Sequence, residues 1–316
     1  MSEQPAPQSG PIAVCTLADG DYFAGAGALA NSLHAGGFRG VVWIGYRGAL
    51  PGWANAAAAR EKWHELDVAP GLALRFVVVS GQDTLALAKP DFALRVLDEL
   101  APDSAGVMFF DADIVALAPW SYFIAWMGAG VGCCTEVLPF KHANHPHRVY
   151  WRDMISAVGR QARDLDLYFN SGFLSVPRQH RDILLAWSQL IGEYRRRVAQ
   201  PVPGIRHGER LGPLWATDQE MLNAAAMASA VPLSVLGPEG MNFAPLDLYM
   251  SHAVSGKPWR ARYLRAALAG RRPAPADRHF WRHASGPIAV ASPAAIRRQR
   301  LCLRLAAAIG RFYGRS

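Results

Sequence analysis

A pair of carboxylates, Asp111 and Asp113, stands two residues apart directly after a short apolar run in the first half of the chain. That run, VMFF at residues 107–110, is predicted to be a buried strand. Two carboxylates presented where a strand ends can converge on one hard divalent cation. The same spacing is also found where an aspartate only caps the turn after a strand. The pair by itself therefore leaves a metal site and a structural turn as alternatives.

Three further groups of polar residues follow later in the sequence. They are residues 169–173 (FNSGF), 217–223 (TDQEMLN) and 251–259 (SHAVSGKPW). Taken singly, the first two have ordinary structural interpretations. Asn and Ser before Gly are typical of a tight turn, and Thr217 with Glu220 three residues later matches a helix-capping box. The third group combines an imidazole, His252, with a cation, Lys257, and these side chains suit a metal-bound phosphate.

The order of these groups is more specific than any one of them. A strand followed by DxD, then FNSG, DQ..LN and H…GKPW, resembles the family 8 glycosyltransferases, which include glycogenin and bacterial lipopolysaccharide galactosyl- and glucosyltransferases. The resemblance spans residues 12–259. It implies a GT-A fold, a manganese (or magnesium) ion, and transfer of a hexose from a nucleotide-sugar donor, usually a UDP-sugar, with retention of anomeric configuration.

The resemblance also implies a metal site built from distant parts of the chain. Asp111 and Asp113 match two metal ligands of the family, and His252 matches the third. Lys257 matches the residue that holds the donor diphosphate. The segment between His252 and Lys257 is one residue shorter here than in the family's pattern.

Residues that face the sugar and the nucleotide follow from the same resemblance. Asn170, Asp218 and Gln219 would form the catalytic group around the transferred sugar, and Tyr22 would stack on the base. The donor-binding residues that it implies are Leu17, Ala18, Asp19, Tyr22, Lys89, Asp111, Ala112, Asp113, Gly256 and Lys257. No residue matches the nucleophile of a double displacement. We therefore expect a front-face reaction, in which the leaving phosphate takes the acceptor's proton.

Two alternatives remain open at this point. The sequence FFDADIVAL (residues 109–117) also fits the nucleophile motif of haloacid-dehalogenase-type phosphatases. That motif normally opens its domain, whereas about a hundred residues precede it here. The second alternative is a non-catalytic nucleotide-sugar-binding protein with the same fold.

Apolar runs alternate with helical patterns in the first half of the chain. Strands are predicted at residues 11–16, 41–45, 75–79 and 107–110, and helices at residues 23–35, 53–66 and 91–100. Nearly continuous apolar strands that alternate with helices predict an α/β fold with a mostly parallel sheet covered on both faces. Because ligands bind beyond the carboxyl ends of such strands, residues 16–22 and 111–113 are expected on the same rim.

The second half of the chain is mixed. Strands are predicted at residues 130–136 and 172–176, helices at residues 182–198 and 218–228, and a poorly periodic segment at residues 271–293. The predicted organisation is a disordered lead-in (1–10), a GT-A domain (11–260) and a basic C-terminal extension (261–316). The loops at residues 140–152, rich in His, and 200–215 are candidates for binding a glycan or lipid-linked acceptor.

Charge divides the chain into unequal parts. From Lys257 onward there are 14 Lys and Arg against one acid, Asp277, whereas the preceding residues hold 19 basic and 24 acidic groups. A basic tail on a mildly acidic body argues against a nucleic-acid-binding protein. The last residues, 295–316, predict a helix that either packs on the body or lies on an anionic membrane. Its apolar face is predicted to comprise Leu301, Leu303, Leu305, Ile309 and Phe312.

Three features predict a cytoplasmic protein. The N-terminus lacks the pattern of a signal peptide, and no stretch approaches the ~20 apolar residues of a membrane span. The four cysteines, Cys15, Cys133, Cys134 and Cys302, show no CxxC spacing and are predicted to be thiols. Peripheral contact with the inner face of a membrane is the one membrane association that the sequence allows. The oligomeric state is not specified.

Overall fold

A mixed sheet of nine strands forms the centre of the described part of the chain. The structure is a computed structural model and describes residues 10–198 and 201–312. The predicted lead-in lies outside these residues except for Gly10. The strands are β1 (Ile12–Asp19), β2 (Gly40–Arg47), β3 (Ala58–Ala59), β4 (His64–Ala69), β5 (Leu72–Val78), β6 (Gly106–Phe110), β7 (Ile114–Ala116), β8 (Val131–Phe140), β9 (Leu167–Pro177), β10 (Leu233–Leu236) and β11 (Met250–His252). Strands β7 and β11 form a separate two-stranded sheet.

The strand order of the large sheet is β10-β8-β9-β6-β1-β2-β5-β4-β3. Strands β1, β2, β5 and β6 pair in parallel, and only β4 and β9 run against the direction of the other strands. The predicted α/β fold with a mostly parallel sheet is therefore confirmed. The strand order changes direction at β1, because β2 lies on one side of it and β6 on the other. The carboxyl ends of β1 and β6 are therefore adjacent at the place where ligands bind in such sheets.

Helices cover both faces of the sheet. They are α1 (Phe23–Ala35), α2 (Lys89–Arg95, continued by a π-helical turn, Val96–Leu100), α3 (Trp120–Gly128), α4 (Pro146–Ala157), α5 (Asp182–Val198), α6 (Thr217–Ala228), α7 (Tyr263–Leu268), α8 (Pro275–His283) and α9 (Pro293–Phe312). Successive residues of β1 face opposite sides, because Val14 belongs to the hydrophobic cluster that includes residues of α1 and α3, while Cys15 belongs to the cluster that includes residues of α2, α4, α5 and α6. This alternation explains why the strand is apolar on both faces.

The predicted helix at residues 53–66 is wrong. Gly52–Ala54 forms a single 3₁₀ turn, and the rest of the segment includes β3 and β4. The alanine-rich sequence favours a helix, but β4 satisfies the open backbone groups along the edge of β5. Arg75 on β5 stacks on Trp63, with its guanidinium 4.8 Å from the ring centre, and its Nε lies 2.7 Å from Glu65. Tertiary pairing overrides local propensity here.

Two of the polar groups do not adopt the local structures that their sequences suggest. Residues 169–173 are not a tight turn but part of β9, where the register with β8 shifts between Cys133 and Cys134. The capping box is not formed, because α6 begins after Ala216 and the Thr217 hydroxyl donates to the carbonyl oxygen of Ile205. The other predicted strands and helices are present, and α1 and α5 have the predicted bounds.

The C-terminal extension packs on the body of the protein. Its helices α7, α8 and α9 bury Tyr263, Trp281 and Leu303 against Ala28 of α1 and Val115 of β7. The poorly periodic segment at residues 271–293 thus contains α8.

The predicted apolar face of α9 is only partly correct. Leu303 is buried, but Leu301 and Leu305 are exposed, and the side chain of Phe312 lies outside the described part. Among the helices described, none is both long and apolar enough to span a bilayer.

Candidate functional site

The predicted site residues come together in a cavity of about 570 Å³ at the carboxyl ends of β1, β2 and β6. Those that line it are Leu17, Ala18, Asp19, Tyr22, Lys89, Asp111, Ala112, Asp113, Asn170, Asp218, Gln219, His252 and Lys257. Gly256 is exposed and is not among the lining residues. The expectation that residues 16–22 and 111–113 share one rim of the sheet is met.

The turn that bears the two carboxylates is fixed from several sides. The backbone N–H of Asp111 donates to the carbonyl oxygen of Gly172 on β9, at 2.7 Å, and that of Ala253 donates to the carbonyl oxygen of Asp113, at 3.0 Å. Helix α1 approaches so closely that a Cβ on Gly25 would lie 2.1 Å from the carbonyl oxygen of Ala112. A glycine is therefore required at the start of this helix, where it meets the turn.

Strand pairing brings His252 to the same turn. Strand β11 runs antiparallel to β7, and His252 is paired with Ile114. Its Nε2 lies 3.2 Å from Oδ1 of Asp113 and 3.9 Å from Oδ2 of Asp111. The absence of a side chain at Gly172 leaves room for the imidazole, since a Cβ there would lie 2.5 Å from Cε1 of His252. The histidine is thus positioned by tertiary structure across more than a hundred residues of chain.

These three side chains fit a divalent metal ion. One ligand atom from each of Asp111, Asp113 and His252 lies within 4.8 Å of the others. The side chains of Asp113 and His252 are each 6% exposed, which limits competition from water. Two carboxylates and one imidazole are a suitable donor set for Mn²⁺ and can also serve Mg²⁺. The other histidine-rich segment, His142 to His147, shows no comparable group among the described residues.

Two lysines flank the carboxylate pair. Nζ of the buried Lys89 lies 2.8 Å from Oδ1 of Asp111 and 2.9 Å from Oδ2 of Asp218. Burial lowers the pKa of Lys89, but the two carboxylates raise it by more, so this ammonium group stays charged. Lys257 contacts the carboxylate of Asp113 and donates to the carbonyl oxygen of Ala253. Positive charge therefore stands on both sides of the metal position.

The charge on Asp113 follows from its neighbours. Burial raises the pKa of its carboxyl group, but the imidazole of His252 and the ammonium group of Lys257 hold the pKa well below the ordinary value. Asp113 is therefore ionised, as a metal ligand must be. Burial raises the pKa of Asp111, an effect that Lys89 opposes.

A polar network occupies the wall of the cavity next to the metal position. Nδ2 of Asn170 donates to Glu136 at 2.7 Å, and Nε2 of Gln219 donates to Glu136 at 3.3 Å and to the Tyr168 hydroxyl at 3.1 Å. Asp218 accepts a hydrogen bond from the Ser171 hydroxyl at 2.7 Å. The shift in register on β9 turns Asn170 and Ser171 into the cavity, an arrangement that is typical of β-bulges near functional sites.

Sequence reasoning missed Glu136 and Arg47, although both line the cavity. Glu136 follows an apolar strand, but its importance depends on the pairing of Cys134 with Asn170, which no local pattern reveals. Arg47 ends β2, and its guanidinium donates to the carbonyl oxygens of Val79, Ser80 and Asp83. A charged residue at the carboxyl end of an apolar strand was the available signal for Arg47.

The structure also places the residues that were predicted to bind the nucleotide. The ring of Tyr22 meets Trp259 edge-on, with ring centres 5.6 Å apart, and Nζ of Lys257 lies 5.6 Å from the Tyr22 ring centre. Arg260 pairs with Asp21 in the turn just before Tyr22. Stacking of a base on Tyr22 and a role for Gly256 stay predictions.

The two loops predicted to bind an acceptor lie against each other. His147 contacts the carbonyl oxygen of Leu211 at 2.8 Å, and Trp151 donates to the carbonyl oxygen of Pro213 at 2.7 Å. Ile205 and Arg206 from the second loop line the cavity. The histidine-rich segment is not simply a polar loop, because His145 caps the N-terminus of α4.

Comparisons with known proteins identify the fold. No protein-family model and no curated protein matches the sequence. Among solved structures, the apo structure of the bifunctional glycosyltransferase WbbM has a TM-score of 0.54 at 13% identity, covering 92% of this chain and 52% of that one. The chain thus spans about half of the WbbM structure.

Two solved structures of LgtC are also similar. An active-site mutant has a TM-score of 0.53 at 17% identity, and a complex of this galactosyltransferase with donor and acceptor sugar analogs has a TM-score of 0.51 at 19% identity. Each match covers 90% of this chain and 99% of the LgtC chain. At such identities the likeness establishes the fold. The protein has the GT-A fold of glycosyltransferases, which excludes the fold expected for a haloacid-dehalogenase-type phosphatase, whereas membership of family 8 stays a prediction.

Proposed function

We propose that the protein is a metal-dependent glycosyltransferase that transfers a hexose from a nucleotide diphosphate sugar, most favourably a UDP-sugar, to a glycan or lipid-linked acceptor. The observation that carries this proposal is the convergence of Asp111, Asp113 and His252 in one cavity. Asn170 and Gln219, which carry no charge, line the same cavity. The cavity lies at the sheet edge where ligands bind in α/β folds.

The charges suit departure of a nucleoside diphosphate. Breaking the bond from the anomeric carbon to the diphosphate oxygen leaves negative charge on the leaving group. Asp111, Asp113 and His252 would hold a Mn²⁺ or Mg²⁺ ion, which supplies Lewis acidity toward the diphosphate when bound. Lys257, released from Asp113 by the incoming donor, adds a positive charge beside the phosphates, and Lys89 holds Asp111 and Asp218 in position.

The polar wall suits the sugar. The anomeric carbon gains oxocarbenium character as its bond to the diphosphate breaks, and polar groups stabilise that charge without attacking the carbon. Asp218 is engaged by Lys89 and by the Ser171 hydroxyl, so its carboxylate is not presented as a free nucleophile. This supports a retaining front-face reaction, in which the acceptor oxygen bonds to the anomeric carbon and its proton passes to the leaving phosphate. The names of the similar structures agree, since one LgtC structure is described as a galactosyltransferase with donor and acceptor sugar analogs.

Release of the nucleotide tests the proposal. Purified protein is incubated with Mn²⁺ and a panel of UDP-, GDP-, ADP- and CMP-sugars, and free nucleotide is measured. We expect slow hydrolysis of one UDP-hexose that requires the metal. Asp111→Ala removes a metal ligand and should abolish this hydrolysis, while Asp67→Ala on the exposed face of β4 should not change it.

Each other outcome has a defined meaning. The absence of hydrolysis, of thermal stabilisation and of metal dependence with every donor would show that the proposed function is wrong. Metal-dependent stabilisation by a donor, without cleavage in the presence or absence of acceptors, would favour the alternative of a non-catalytic nucleotide-sugar-binding protein.

A further inference from the structure

Four leucines are exposed on two helices of the C-terminal extension that pack against each other. On α7, Leu264 is 37% exposed and Leu268 is 76% exposed; on α9, Leu301 is 57% exposed and Leu305 is 46% exposed. In each helix the two leucines are four residues apart and therefore share one face. These four leucines and the arginines around them form one surface, which we call the α7–α9 surface.

The exposed leucines are not the inward face of a helix that failed to pack. The opposite side of α9 already buries Ile296, Leu303 and Ala306, and α7 buries Tyr263 and Ala267 beside its two leucines. Each helix thus has one apolar side in the core and a second apolar stripe that faces solvent. A stripe of this kind on two adjacent helices is more than the scattered exposed apolar residues of an ordinary surface.

The arginines around these leucines lack acidic partners. Within the described ranges, none of them has a carboxylate oxygen within 4.0 Å; they are Arg262, Arg265, Arg271, Arg272, Arg297, Arg298, Arg304 and Arg311. Some arginines of the body are paired in contrast, since Arg152, Arg160 and Arg197 each pair with an aspartate. The positive charge of the α7–α9 surface is therefore not neutralised by the protein itself.

We propose that the α7–α9 surface binds an anionic lipid bilayer, with Leu264, Leu268, Leu301 and Leu305 entering the acyl boundary and the arginines lying at the level of the phosphates. Leucine and arginine together are the composition of helices that lie in a membrane interface. Arginine stems also cover apolar surface while their guanidinium groups remain among the headgroups. Nucleic acid would explain the arginines but leaves the leucines without a partner.

The charge of the rest of the chain would orient the protein on such a membrane. The residues before Lys257 hold 24 acidic groups against 19 basic ones, so an anionic surface repels the body while it attracts the extension. The α7–α9 surface would therefore face the lipid.

Co-sedimentation with vesicles tests this proposal with the full-length protein. One set of vesicles contains phosphatidylglycerol mixed with phosphatidylcholine, and the other contains phosphatidylcholine alone. We expect binding to the first set, weakened by salt, and little binding to the second. Point variants are preferable to removal of α9, because its loss would uncover the core residues packed against Leu303.

Three variants separate the contributions. Leu268→Ser combined with Leu301→Ser should weaken binding about tenfold or more, because two apolar side chains no longer enter the bilayer. Replacing Arg265, Arg298 and Arg304 by Gln should weaken it about fivefold for each charge removed. Leu246→Ser is the matched control, since this leucine is 60% exposed on a loop outside the α7–α9 surface. It should bind like the unaltered protein.

Three results would overturn the proposal. They are failure of the unaltered protein to bind the anionic vesicles, equal binding by the leucine variant, and equal loss with the Leu246→Ser control. If the leucine variant binds equally while the arginine variant loses binding, the protein adsorbs by charge alone. The test needs no donor or metal, so its outcome is separate from that of the proposed glycosyl transfer.

Discussion

At the scale of single residues, Gly172 contacts both parts of the candidate metal site. It lies on β9, and its backbone carbonyl accepts from Asp111 while its missing side chain makes space for His252. One residue thus controls the distance between the carboxylate turn and the imidazole. The FNSG sequence needs its glycine for this close approach rather than for a turn.

We predict that Gly172→Ala lowers the affinity for Mn²⁺ by at least about tenfold. A Cβ at this position would lie 2.5 Å from Cε1 of His252, so the ring must move away from the carboxylates. Displacing a metal ligand in this way costs as much as or more than losing an outer-shell partner, which is typically 10- to 100-fold. Isothermal titration calorimetry with Mn²⁺ measures the effect.

Gly256→Ala provides the matched control for this prediction. A Cβ on Gly256 has no heavy atom within 4 Å, although Gly256 belongs to the same H…GKPW pattern. The affinity of the Gly256→Ala variant for Mn²⁺ should therefore stay within about twofold of that of the unaltered protein. Equal losses in the two variants would show that the space at Gly172 is not what positions His252.

At the scale of elements, Asn223 joins helix α6 to strand β9. Its Oδ1 accepts from the backbone N–H of Phe169 at 2.8 Å, and its Nδ2 donates to the carbonyl oxygen of the same residue at 2.8 Å. Asn223 is the last residue of the DQ..LN pattern and is fully buried. It fixes the helix that presents Asp218 and Gln219 next to the strand that presents Asn170.

We predict that Asn223→Ala lowers the free energy of unfolding by about 3 kcal/mol, because two buried backbone groups of Phe169 lose their partner. Urea denaturation followed by circular dichroism measures the change. Asn55→Ala, at an exposed position, should change the free energy of unfolding by less than about 0.5 kcal/mol. A loss below about 1 kcal/mol in the Asn223 variant would show that the helix and strand are held together by other contacts.

The same helix carries a carboxyl group with an unusual pKa. Burial raises the pKa of Glu220 from its ordinary value of 4.5 to about 7, although Lys141 and Arg148 favour the charged form and Tyr168 also faces the carboxyl group. Between these two pH values the unfolded chain releases a proton that the folded chain keeps. The contribution of Glu220 to stability is therefore greatest below pH 4.5 and is lost as the pH rises toward 7.

We predict that Glu220→Gln makes the free energy of unfolding less dependent on pH. Relative to the unaltered protein, the variant should gain about 2 kcal/mol between pH 5 and pH 8, because it removes the cost of charging a buried carboxyl group. Denaturation at the two pH values measures this difference. Glu209→Gln, at an exposed position, should show no such gain. The same pH dependence in Glu220→Gln and the unaltered protein would contradict the prediction.

At the scale of the whole molecule, the C-terminal extension is part of the folded structure and not only an appendage. Its helices close over α1 and β7, and the indole of Trp281 donates to the hydroxyl of Tyr263 within this core. One side of α9 therefore packs in this core, and the other side faces solvent.

We predict that the two sides of α9 differ in their effect on stability. Leu303 is 8% exposed, so Leu303→Ala should cost about 2–4 kcal/mol through lost burial and a cavity. Leu301→Ala, at a position 57% exposed, should cost less than about 0.5 kcal/mol. Thermal and urea denaturation measure both changes. Equal effects would mean that α9 does not pack on the body as described.

The sequence by itself determined the alternation of strands and helices, the α/β class, and the residue types of the candidate site. Burial on both faces makes a parallel strand apolar throughout, and that pattern is visible locally. The sequence also indicated the DxD turn and the order of the polar groups, which together point to a GT-A fold.

Only the tertiary structure decided how those residues meet. Residues 53–66, predicted as a helix, instead form a turn, β3 and the start of β4, because β4 pairs with the edge of β5 and no local pattern encodes that pairing. The neighbours of Glu136 depend on a shifted strand register, and the place of His252 depends on the pairing of β11 with β7. The two sides of α9 depend on which leucines the body covers. Each of these contacts joins residues far apart in the chain, and therefore only folding fixes them.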